Sequence, residues 1–78
     1  MESRIAYRQR LLRAATMEFA GSAINCMVRN LSDTGAMMDV ATKFDIPDRF
    51  WLVLTTDGKR FPCRVIWQKG RRIGVTFE

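Results

Sequence analysis

Two spacings in this 78-residue chain could carry chemistry. The first is Arg4-Ile5-Ala6-Tyr7-Arg8, an arginine pair at i and i+4. A guanidinium is a planar fork of donors that matches phosphate oxygens and guanine edges, where an ammonium offers a point charge. The second is Asn30-Leu31-Ser32-Asp33-Thr34-Gly35, which fits [Asp/Asn]-x-Ser-x-x-Gly. It falls where a strand ends, so its polar side chains project at the end of a sheet. The same residues have a plainer use, because Asn and Ser bond their own backbone in turns. The arginine spacing also recurs at Arg60 and Arg64, so it has little meaning alone.

Other chemistries are excluded by what the chain lacks. Without histidine there is no Ser-His-Asp or Cys-His nucleophile pair and no His-bearing zinc site. Cys26 and Cys63 are too few for a four-cysteine zinc site or a disulfide framework. No carboxylate pair or metal cluster stands out, so catalysis is not expected. No apolar run approaches the ~20 residues of a membrane-spanning helix. The opening Met-Glu-Ser-Arg lacks the apolar stretch of a signal peptide. The expected setting is a reduced cytoplasm.

Charge is concentrated at the two ends. The net charge is +5, and ten of the thirteen basic residues are Arg. Residues 1–13 carry Arg4, Arg8, Arg10 and Arg13 against Glu2, whereas residues 14–57 are net acidic. Residues 58–78 carry Lys59, Arg60, Arg64, Lys69, Arg71 and Arg72 against Glu78. This pattern suits an anionic partner, although a solvated basic surface would give it too.

The elements that must position these residues are short strands. Apolar periodicity is weak over residues 1–10, which read as an arm, and the remainder, 11–78, reads as one domain. Strands are expected at Ala14–Phe19, Ala23–Leu31, Ala36–Val40, Phe50–Leu54, Lys59–Gln68 and Arg72–Phe77. Ile24, Cys26 and Val28 should share an inner face, as should Ala36, Met38 and Val40, and Ile73, Val75 and Phe77. Phe61, Cys63, Val65 and Trp67 should share another. Asp57-Gly58 and Lys69-Gly70 are hairpin signals, and Pro62 suggests an edge or a bulge. A competing helix over Ala6–Ala15 has some apolar spacing but no N-terminal cap. Six strands with tight hairpins imply an all-β fold, a small six-stranded antiparallel barrel with a flexible N-terminal arm.

With both motifs and this architecture in view, the chain resembles the PilZ domain, a bacterial receptor for cyclic di-GMP. The signature is Arg-x-x-x-Arg in an arm, then [Asp/Asn]-x-Ser-x-x-Gly about twenty residues on. Here Arg8 and Asn30 are 22 positions apart. The runs Cys26–Gly35, Ile46–Phe50, Arg64–Trp67 and Arg72–Phe77 look like single-domain PilZ proteins of alphaproteobacteria. The resemblance implies a barrel that holds cyclic di-GMP on its outside, with the arm folding over it. Arg4 and Arg8 would take guanine edges, phosphates or base faces. Asn30 would meet a guanine edge and Ser32 a base or phosphate. Gly35 would supply a positive φ or a close approach of backbone to ligand. Tyr7, Arg10 and Trp67 are further candidate contacts. Ser3 stands where relatives frequently carry Arg, which favours one ligand per protomer.

The resemblance implies a second-messenger receptor that signals to a protein partner, with no cofactor and no DNA. Two other readings stay open: a barrel that binds single-stranded nucleic acid, and an interaction module that binds no nucleotide.

Overall fold

In the computed structural model, which describes residues 9–41 and 45–78, the apolar alternation becomes six antiparallel strands. They are β1 (Gln9–Phe19), β2 (Ser22–Leu31), β3 (Gly35–Val40), β4 (Arg49–Leu54), β5 (Arg60–Lys69) and β6 (Arg72–Phe77). The hydrogen-bonded order β1-β2-β3-β6-β5-β4 closes by pairing β4 back onto β1. Closure gives most backbone donors and acceptors a partner, where an open sheet would present two bare edges.

The inner face is a dry apolar core. Met17, Val28, Met38, Leu52, Leu54, Cys63 and Ile73 are fully buried, joined by Ala15, Cys26, Val40, Phe50 and Val75. No polar side chain is buried among the described residues. Phe61 and Phe77 stack at 4.8 Å beside this core. Period-two alternation puts each of these residues inward while its neighbours face out. The expected inner faces of β2, β3 and β6 are therefore observed.

Local chemistry sets the turns. Ala20 and Gly21 have φ of 47° and 78°, both left-handed, between the paired ends Phe19 and Ser22. A two-residue hairpin of this kind matches the right-handed twist of its strands. Pro62 lies inside β5, near its start. Its carbonyl accepts from the Glu78 amide just past the end of β6, so the proline, which has no N–H to donate, stands where the β5–β6 ladder ends.

One competing alternative falls away and one expectation needs correction. Residues 9–15 are strand rather than helix, because β1 pairs with β2 from Gln9 onward; the rest of the helix reading, 6–8, lies outside the described residues. Trp67 does not share the face of Phe61, Cys63 and Val65. Val65 pairs with Val75 but Trp67 pairs with Gly74, so Ile66 is an extra residue and the strand changes face there.

Candidate functional site

Three register shifts shape one region of the outer surface. Besides the shift at Ile66, β1 shifts between Arg10 and Arg13, and β2 shifts between Val28 and Asn30, with Arg29 extra. Bulges re-aim side chains, and those in β2 and β5 turn one cross-strand row outward. In that row Asn30 pairs with Met37, Met37 with Gly74, and Gly74 with Trp67. Strand β1 enters the same row at Arg10, which is in register with Asn30. The flanking Val28, Met38 and Ile73 are buried, so the row itself faces out.

The Asn30–Gly35 segment divides into two uses. Ser32 builds the β2–β3 turn. Its amide donates to the Gly35 carbonyl at 2.9 Å, and its Oγ accepts from the Thr34 and Gly35 amides at 3.3 Å each. The hydroxyl is also 3.3 Å from the Gly35 carbonyl and 3.4 Å from Thr34 Oγ1. These are long bonds, weaker than a 2.8 Å contact. Asn30 takes no part in the turn. It is half-buried, and its carboxamide, with two donors and an acceptor, bonds no described residue.

Gly35 does not meet the expectation of a positive φ, and the barrel itself gives a reason for glycine there. A Cβ would overlap the Val75 carbonyl oxygen and stand 3.3 Å from Thr76 Cα. Strand β3 approaches β6 too closely for any side chain at this point. Gly74 acts similarly toward a side chain: its Cβ would overlap the Trp67 indole, which therefore lies against the strand. Trp67 remains 43% exposed, and Ile66 on the bulge is 64% exposed.

Beside the row is a hollow of about 280 Å³, lined in part by Asn30, Ser32, Gly35, Met37, Ile66 and Thr76. Small-molecule sites commonly enclose ~300–1,000 Å³, so this open hollow seats only part of a ligand. Complete enclosure would need a further covering element. Met37, Ile66, Thr76 and Gly74 escaped the sequence reading. The adjacent apolar pair Ile66-Trp67, which breaks the alternation of β5, was the available signal for the bulge.

On one side of the row Asp39 joins two strands. It accepts from Arg72 Nε at 2.8 Å and from an Arg29 guanidinium nitrogen at 3.2 Å. The Arg72 hydrogen bond, with Arg29 assisting, holds the Asp39 carboxyl below its ordinary range against a smaller opposing effect of burial. Burial pushes the Cys26 and Cys63 thiols up to about 12, so both are protonated core residues. Among the described residues no cluster of three or more Cys, Asp or Glu could hold a metal ion.

The structure thus brings Asn30, Ser32, Gly35 and Trp67 to one outer patch, with the Arg10 position at its edge. Arg4, Tyr7 and Arg8 lie outside the described residues. The PilZ domain family matches the chain over residues 2–78. No curated protein matches it.

Proposed function

The chain belongs to the PilZ domain family, known for binding cyclic di-GMP, and from that premise we propose that it is a cyclic di-GMP receptor that signals to a protein partner. The ligand is a dianion with two guanine bases. It would lie over the row from Asn30 to Trp67, with a guanine edge on the Asn30 carboxamide. The Trp67 indole and Met37 offer an apolar face for a base. Arg4 and Arg8 would close over the phosphates from the arm, with Tyr7 and Arg10 beside them. The ordering of a segment by bound anion changes the exposed surface without any bond being made or broken. A cytoplasmic site of action follows from the messenger, and no catalytic step is assigned.

The observation that carries this reading is the half-buried carboxamide of Asn30, which bonds no described residue, in one row with Trp67. A module without nucleotide binding is favoured by one fact, the engagement of Ser32 in its own turn. A thermal-shift panel separates the two. Stabilisation by cyclic di-GMP, with none from GTP or cyclic di-AMP, is expected. No shift from any of the three would leave the module reading. Arg8→Ala should weaken cyclic di-GMP binding by about 1–3 kcal/mol, the order of a charged hydrogen-bond pair.

A further inference from the structure

Strand β5 carries an arginine that neither motif includes. Arg64 lies between the inward Cys63 and Val65 and is exposed on the outer face. On one side it is in register with Arg49 of β4, and on the other with Thr76 of β6. Like charges directly opposite one another across a ladder are destabilising. Arg49 is compensated, since its Nε is 3.1 Å from Glu78 Oε1. Arg64 has no acidic partner among the described residues.

Its position connects that uncompensated charge with the hollow. Thr76, across the ladder, and Ile66, two residues along the strand, both line the hollow. Cross-strand neighbours have Cβ atoms about 5 Å apart, well within the reach of an arginine side chain. On the far side of the row Asp39 engages both Arg29 and Arg72. On the rim beside Thr76, by contrast, the Arg64 guanidinium is engaged by no described carboxylate.

We propose that Arg64 is a third arginine of the ligand site, binding a phosphate from the barrel side. The proposal rests on the cyclic di-GMP reading above and adds a fixed cation to the two on the arm. The backbone of an arginine on a strand is held by the ladder before the ligand arrives, which lowers the ordering cost of binding. It also sets which phosphate oxygens face the barrel.

Calorimetric titration of cyclic di-GMP into the full chain, Arg64→Gln and Arg49→Gln tests this at two salt concentrations. Arg64→Gln should bind about tenfold more weakly, the order expected for losing one partly screened charged contact. Its affinity should also depend less on salt, because one screened attraction is gone. Arg49→Gln, whose charge Glu78 engages, should bind as the unaltered chain does. Unchanged affinity in Arg64→Gln would overturn the proposal. Equal losses in both variants would overturn it too, since they would reflect only the general field of the surface. Absence of binding by the unaltered chain would instead overturn the reading beneath it.

Discussion

The same substitution at two glycines should have two different consequences. At Gly35 an added methyl meets the Val75 carbonyl, part of the neighbouring strand. Backbone cannot step aside without opening the β3–β6 ladder. Overpacking typically costs about 1–3 kcal/mol. The shift would also strain the Ser32–Gly35 pair, bonded at 2.9 and 3.3 Å, at about 1 kcal/mol per bond lost. A total of about 2–4 kcal/mol is a large share of the ~4–12 kcal/mol expected for a domain of this size. It corresponds to a fall in Tm of roughly 10–25 °C. At Gly74 the methyl meets the Trp67 indole, a side chain that can swing into solvent. Gly74→Ala should therefore cost within about 1 kcal/mol, partly offset by the lower chain entropy of alanine in the unfolded state. Its signature should be optical. In a Trp51→Phe background, where Trp67 is the only indole, Gly74→Ala should red-shift the emission and flatten the near-ultraviolet circular dichroism. Thermal melts and spectra of both variants check the reasoning. A Gly35→Ala protein with unaltered Tm, or a Gly74→Ala protein with unaltered Trp67 spectra, would refute it.

Asp39→Asn should expose the pH dependence of the Arg29–Asp39–Arg72 link. Asp39 is held below its ordinary value of 3.8, so its contribution is complete above that pH and disappears as the pH falls through the lower folded value. The Tm difference between the chain and Asp39→Asn should be largest near neutrality and vanish in strong acid. Cys26 and Cys63, with thiols raised to about 12, should resist alkylation at pH 8 in the folded chain and react fully in denaturant. Leu52→Ala, at a fully buried position, should cost about 2–5 kcal/mol in a denaturant melt.

Sequence pattern revealed the barrel because period-two alternation and turn residues are local signals. Ile24-Cys26-Val28 and Ile73-Val75-Phe77 declare their inner faces unaided. The bulges were hidden, since an extra residue matters only relative to a partner strand. Ile66 therefore moved Trp67 to the outer face, where strict alternation had put it inside. The meaning of Gly35 was hidden for the same reason: Val75 lies forty residues away in sequence, and the closeness of two strands is a tertiary fact. The Asn30–Gly35 motif was legible as a cluster of polar residues. Its division into a turn-building Ser32 and an Asn30 carboxamide that bonds no described residue depends on three-dimensional structure.

The central claim is recognition of one anion by this patch. Its most direct test is calorimetric titration of cyclic di-GMP into the full chain at low salt. Saturable heat with one ligand per protomer, at ligand concentrations up to about 100 μM, is the predicted result, well above a dissociation constant of micromolar order. No heat over that range would contradict it.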